Sequence, residues 1–446
     1  MEKKKARFPK SFWAANTVEL FERAAYYAVA SFVVIYFHEV LGMSPTMATF
    51  LNGTILWGLL YFLPPLSGTI ADKYGFKKSL SVTFVLLTLG YLIVGTVQKF
   101  WPLVVGHQQN VDYTIPVVVG IVLIGVGGSF VKPCISGTVQ KTAAAYAALG
   151  FGIFYMTINV GSMMGRIVSY FVRINFGIPA IFTYVATAFA FLGLMVIFFI
   201  YEEPQYQEDV SPSKVYKPKS LGEAVVGMFT VLKNIKFVFF LVVIGFFWII
   251  YIQIYNLIPL FLRHIDPNAP VELYTLVNPV MIVLFQLLIT RLSRHWSSLK
   301  SIMVGIGVTV IGMFINIIPF LLGADPAAKT KFLGLMLPFA GIFMLLSIGS
   351  MAVGEMFASP RIYQYIGAIA PKGQEGVYLG YANLPLAIGT IVGAPIGGML
   401  FEAFVSRPAR AGEPMKAVLM WSIVATMGII SLLGVYIYDR LLVERK

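Results

Sequence analysis

The sequence predicts an all-α membrane protein of twelve transmembrane helices arranged as two six-helix bundles. Composition is the first reason: 58% of the 446 residues are hydrophobic and only 12% are charged. A soluble domain carries about a quarter charged residues. The second reason is pattern, because the apolar residues come in long runs instead of one-sided stripes. A run of about 20 is what a helix needs to cross roughly 30 Å of hydrocarbon. The third is arrangement, since six such runs are followed by a polar segment, 202–236, and then by six more.

The first bundle is predicted from spans 12–38, 47–71, 79–98, 115–138, 147–171 and 179–201. The second is predicted from 237–262, 272–291, 301–322, 332–358, 376–401 and 416–438. The domains expected are therefore residues 1–203, a linker at 204–236, and 237–446. Span one follows the basic stretch MEKKKARFPK, as a signal peptide would, but it holds Glu19, Glu22 and Arg23 and no small-residue cleavage site. It reads as a helix that stays attached. Within the linker, Leu221, Val225, Met228 and Leu232 recur at helical spacing, which predicts an interfacial helix over 220–234. In span eleven, Gly393-Ala394-Pro395-Ile396-Gly397-Gly398 lies inside an apolar helix and reads as close helix packing, not as a phosphate loop.

Orientation follows from the loops. Lys3, Lys4, Lys5, Lys73, Lys77, Lys78, Lys214, Lys217, Lys219, Lys233, Arg291 and Arg294 fall on the side of the N-terminus, and basic residues on the other side are far fewer. Cytoplasmic loops collect Lys and Arg, so both termini are expected in the cytoplasm of a cell-membrane protein. The same bias accounts for the net charge of +13, with no need for a nucleic-acid partner. A single cysteine, Cys134, excludes an internal disulfide framework.

Six ionisable residues fall inside the predicted spans: Glu19, Glu22, Arg23, Lys132, Arg166 and Glu355. Each costs about 2.5–3.5 kcal/mol at a helix centre on insertion scales, so each must be paired, hydrated or functional. Glu19, Glu22, Arg23 and Tyr26 share one helix face by their spacing. Two acids beside one base leave a carboxylate over, which is what a proton-coupled device requires. Lys132 precedes Pro133 and follows Gly125, Gly127 and Gly128, at a kink where neighbours can approach closely. It is a candidate anion ligand, with Glu355 on the other half able to face it. Arg166 reads as structural. His38, His107, His264 and His295 sit at span ends or in loops without metal-ligand spacing, and no cofactor or metal is expected. No Ser-His-Asp, Cys-His or paired-carboxylate arrangement suggests an enzyme.

Gly68-Thr69-Ile70-Ala71-Asp72-Lys73-Tyr74-Gly75-Phe76-Lys77-Lys78, after span two, resembles the conformational loop of the major facilitator superfamily. The layout of two six-helix halves is similar to that family's. The resemblance implies a substrate site near the midplane between the halves and transport by alternating access.

A narrower resemblance is carried by five motifs. Glu19-Leu20-Phe21-Glu22-Arg23-Ala24-Ala25-Tyr26-Tyr27 resembles the first-helix motif of the proton-dependent oligopeptide transporters, and Phe154-Tyr155-Met156-Thr157-Ile158-Asn159-Val160-Gly161-Ser162 resembles their fifth-helix signature. Lys132-Pro133 with Ser136, Asn278-Pro279, and Gly354-Glu355 with Ser359-Pro360 match as well. The resemblance implies that Glu19, Glu22 and Arg23 couple protons. It implies that Arg23 contacts a peptide carboxylate, that Lys132 binds that carboxylate or pairs with Glu355, and that Glu355, Asn159 and Asn278 hold the amine. Tyr26, Tyr27, Tyr61 and Trp248 would line the pocket. The implied protein is a monomeric symporter of di- and tripeptides or similar zwitterions in a lipid bilayer.

The sequence also departs from that family. A second arginine usual after the tyrosine pair is Ala30, and the acidic pair usual on helix seven reads Tyr251-Ile252. Both partners of an inter-bundle salt bridge are thus absent together, which leaves no stranded charge. Another contact is expected to close the outer gate. The departures keep open a transporter or exporter of another small organic molecule, and, in third place, a receptor or scramblase on the same scaffold.

Overall fold

The computed structural model describes residues 8–106, 111–143, 146–204, 222, 233–332, 334–370 and 381–442. The interfacial helix expected over 220–234 lies almost wholly outside the described residues. The helices are α1 (Lys10–Ala30 continued by Val33–Val40), α2 (Pro45–Phe62 continued by Pro64–Tyr74), α3 (Phe76–Val105) and α4 (Thr114–Ala143). They continue with α5 (Ala147–Phe176) and α6 (Ile178–Phe199). The later ones are α7 (Ile235–Ile265), α8 (Val271–Leu292), α9 (Ser298–Ile315), α10 (Phe339–Ile369), α11 (Tyr381–Arg410) and α12 (Ala417–Leu442).

Among the described residues nine helices are long and apolar enough to cross a membrane, or eleven when each bent pair is one span. The fifth predicted span lies on α5, a further 30-residue helix outside that count. Twelve spans is therefore our proposal.

The helices differ from expectation in several places. The first two spans are not straight: α1 bends by 43° after Ala30 and α2 by 44° after Phe62. At the second bend Pro64 and Pro65 each lack the amide hydrogen that would continue the ladder. Span ten begins at Phe339, not 332, because β1 (Lys329–Phe332) pairs antiparallel with β2 (Leu335–Pro338), Lys329 opposite Pro338. Span nine stops at Ile315, and a separate turn of helix at Ile318–Leu321 follows.

The contacts divide the chain into two compact units. One comprises Met1–Ala30 with Phe62–Val226; the other comprises Ser31–Tyr61 with Gly227–Lys446. In the first unit α1 packs along α5, α3 along α4 and α6, and the Pro64–Tyr74 segment along α4. In the second, α9 packs along α10 and α12, α7 along α11 and α12, and α8 along α10, while the residues 45–57 lie on α11.

Small residues allow the tightest of these crossings. A Cβ at Gly165 of α5 would stand 2.3 Å from the Ala24 carbonyl oxygen and 2.9 Å from the Ala28 nitrogen. Backbone cannot yield as a side-chain tip can. Gly165→Ala is expected to destabilise by about 1–3 kcal/mol, the usual cost of overpacking. The melting temperature of the detergent-solubilised protein measures it, and an unchanged value would contradict the crossing.

The glycine-rich stretch of α11 packs as its sequence suggests. Added Cβ atoms would meet Ile249 Cα at 2.8 Å from Gly393 and Thr49 Oγ1 at 2.0 Å from Gly398. Residues of α7 and of the Ser31–Tyr61 segment thus close on the same helix.

Candidate functional site

The first unit gathers the charged cluster of α1. Glu19 is wholly buried, and Glu22 and Arg23 nearly so. The Arg23 guanidinium donates to the Glu22 carboxylate through Nε, while Glu19 Oε1 stands 3.4 Å from the same nitrogen. Neither Glu19 oxygen accepts a hydrogen bond among the described residues. A buried carboxylate is almost always fully bonded. Glu22 is therefore the acid that Arg23 bonds directly, and Glu19 is held at ion-pair distance without a hydrogen bond among the described residues.

Tyrosine rings surround this cluster. The Arg23 guanidinium carbon lies 5.1 Å from the Tyr26 ring centroid, and Tyr26 meets Tyr27 edge to face at 4.9 Å. Both contacts extract electrostatic benefit from the ring quadrupole. Lys132, half-buried on α4, lies within electrostatic reach of Glu19, Glu22 and Arg23. Its carbonyl accepts from Ser136 at 2.6 Å, which ties down the turn that holds Pro133. Tyr91 of α3, buried and within reach of Glu22 and Arg23, belongs to the same surroundings. Nothing in its apolar sequence context marks it.

Arg166 is wholly buried on α5. It lies over the Tyr27 ring at 4.5 Å and donates to the Ser162 hydroxyl and, at 3.2 Å, to the Ser162 carbonyl. Asn159 is buried and donates to the Tyr155 carbonyl at 2.9 Å.

The second unit gathers a separate group. The Tyr251 hydroxyl donates to Glu355 Oε2, and Asn278 Nδ2 donates to both, at 2.9 Å to the Tyr251 oxygen and 3.2 Å to the carboxylate. Trp248 packs edge-on to Tyr251 with ring centres 5.2 Å apart. The sequence points to Glu355, Asn278 and Trp248 but treats Tyr251 only as a lost acid. Its phenol is instead what positions the Glu355 carboxylate. Tyr61, in the same unit, meets Trp57 at 6.2 Å.

The loop after α2 is held by a residue not anticipated from the sequence. Gly75 has φ +93°, a conformation glycine adopts without strain. The Glu203 carboxylate, just beyond α6, accepts from the Phe76 and Lys77 amides at 2.8 Å each. It therefore satisfies the first turn of α3. Asp72 itself is exposed, within reach of Lys141, and Gly68 lies against Pro133 of α4. Replacing Glu203 with alanine should cost about 1 kcal/mol, as loss of an N-terminal cap does. Thermal unfolding checks this, and Glu203→Gln should retain part of the difference. No group of His, Cys, Asp and Glu able to hold a metal occurs among the described residues.

Long apolar helices in both units, with a buried polar centre in each, define a polytopic membrane protein. The chain belongs to the major facilitator superfamily, whose family model matches residues 17–329. It is 22% identical to dipeptide and tripeptide permease B of Photorhabdus asymbiotica over 92% of this chain and 89% of that one. It is 25% identical to solute carrier family 15 member 1 of Oryctolagus cuniculus over 42% of this chain, so the match spans only 29% of that relative. A mutant of the peptide transporter POT superposes with a TM-score of 0.73, covering 97% of this chain and 95% of that one at 17% identity. At such identity that superposition speaks for the fold.

Proposed function

We propose that the protein is a proton-coupled symporter of small peptides, di- and tripeptides or comparable zwitterions, working as a monomer with both termini in the cytoplasm. The observation that carries this reading is the α1 cluster, in which two buried acids share one arginine and Glu19 accepts no hydrogen bond among the described residues. A carboxyl so placed can alternate between proton and cation, and that alternation is what coupling needs. Arg23 and Lys132 supply positive charge for a substrate carboxylate, with Tyr26 and Tyr27 beside them. Glu355, held by Tyr251 and Asn278, supplies negative charge for an amine, beside Trp248. In this proposal the chain works as bundles 1–203 and 237–446 joined by 204–236, and Asn159, Tyr61, Gly68, Asp72 and Gly75 act in binding and in the conformational loop. The similarity to peptide permeases supports the substrate class.

The test is uptake into liposomes under an inward proton gradient. Acid-stimulated accumulation of at least some di- or tripeptides is expected. Its absence across a panel of peptides of one to four residues would overturn the peptide reading. The second reading, a transporter or exporter of another small organic molecule, is favoured by Ala30 and by Tyr251-Ile252 at positions where the resembling family keeps charges. Stabilisation of the purified protein by a non-peptide and by no peptide would select it.

A further inference from the structure

Apart from the two polar centres, the second unit contains a cavity of about 430 Å³ lined by His38, Glu39, Arg263, His264, Ser406 and Arg410, with Leu260, Phe401 and Ala409 as its apolar wall. It lies where the end of α1 meets the ends of α7 and α11, outside the machinery assigned above.

Charge in this cavity is unbalanced. Glu39 is the only acid lining it, against two arginines and two imidazoles. Glu39 is already committed: its carboxylate is gripped side-on by Arg263, Nε at 3.0 Å from Oε1 and Nη2 at 2.6 Å from Oε2. The next acid, Glu402, accepts from the Thr46 hydroxyl at 2.7 Å and stands 3.7 Å from Arg407. Arg410 has no acidic partner among the described residues. His38 Nδ1 lies 2.7 Å from the Met43 carbonyl oxygen, which can only accept. Nδ1 therefore carries the proton, which fixes the ring.

We infer that this cavity is a binding site for a compact anion, a carboxylate or phosphate group, whose occupant takes Arg410 and competes with Glu39 for Arg263. Arginine suits this because its planar fork matches two oxygens of either group. The Leu260, Phe401 and Ala409 wall accepts a short apolar portion. Occupancy would draw Arg263 away from Glu39 and so loosen one tie between α7 and the Ser31–Tyr61 segment. The inference is independent of which substrate the buried centres take.

Two sources offer this chemistry, a soluble anion and the headgroup of an acidic lipid, and the experiment separates them. The full-length protein is titrated with succinate and with inorganic phosphate, against chloride at matched ionic strength, and thermal stability is read. In parallel it is reconstituted in phosphatidylcholine nanodiscs with and without phosphatidylglycerol. Arg410→Ala should shift the half-maximal concentration of the active anion upward by about tenfold, the effect of one lost charge-assisted contact. Glu39→Gln should shift it downward, because the internal competitor is weakened. If phosphatidylglycerol alone stabilises, and Arg410→Ala removes that stabilisation, the occupant is a lipid headgroup. Arg410 is exposed on the short helix Arg407–Arg410, so its truncation leaves the core intact. Equal stabilisation by chloride, or parental titrations in both variants for every probe, would overturn the inference.

Discussion

Glu19→Gln is expected to abolish concentrative uptake while leaving exchange of substrate across the membrane. Glutamine keeps the size of the side chain and an acceptor oxygen, and it removes the group that can take a proton. What remains is Glu22 bonded to Arg23, one acid with one base and no carboxyl left over. With the interior more alkaline by one pH unit, one coupled proton sustains about a tenfold accumulation. The variant should equilibrate at a ratio near one. Glu22→Gln should behave alike, because it frees Arg23 for Glu19 and again leaves a one-to-one pair. Counterflow with preloaded liposomes reads exchange, and a pH-jump assay reads accumulation. Accumulation that persists in either variant would remove the cluster from coupling.

The second large effect concerns Glu355. Its carboxylate accepts from Tyr251 and Asn278, so the charge is aimed, not merely present. Hydrogen bonds to charged groups contribute about 1.5–3 kcal/mol, which corresponds to roughly ten- to hundredfold in affinity. Glu355→Gln keeps the contacts of Tyr251 in outline and removes the charge. It should weaken binding of peptides with a free amino terminus by that factor and leave N-acetylated peptides nearly unaffected. Tyr251→Phe, which retains the charge but loses its orientation, should fall between parent and Glu355→Gln. Equal losses for free and acetylated peptides would mean that Glu355 does not face the amine.

Part of this was legible in the sequence for a physical reason. A charge in an apolar run is expensive, so Glu19, Glu22, Arg23, Lys132 and Glu355 declare themselves wherever they stand. Aromatic residues in the same runs carry no such signal. Tyr251 and Tyr91 look like any apolar-helix tyrosine until the packing shows which polar group each meets. Glu203 was hidden differently, since it stands in a short acidic patch beside the linker where solvated carboxylates are ordinary. Helix positions follow from hydropathy, but helix bends do not. Pro64 and Pro65 offered a local reason for the break in α2, whereas the break in α1 falls at Ser31 and Phe32 with no proline nearby. There the Ser31 hydroxyl meets the Thr275 hydroxyl at 2.7 Å, a partner more than two hundred residues away. Which contact replaces the missing salt bridge is not legible in the sequence. Within the second unit Asn52 donates to Asn256 at 3.1 Å and Arg263 grips Glu39, partners that lie far apart in the chain.

The membership of Ser31–Tyr61 in the second unit bears on how the gene could be cut. The segment lies between two bends, near Ala30 and near Phe62, and its small residues fill α11: Gly53 abuts Ala394, and Thr49 sits against Gly398. A fragment made from residue 227 onward would carry α11 without the piece that covers it, and its stripe of glycines would lie bare. Two separately expressed halves should therefore be insoluble apart and recover only when made together. A duplicated or swapped half would need to bring this hairpin with it to remain a working unit.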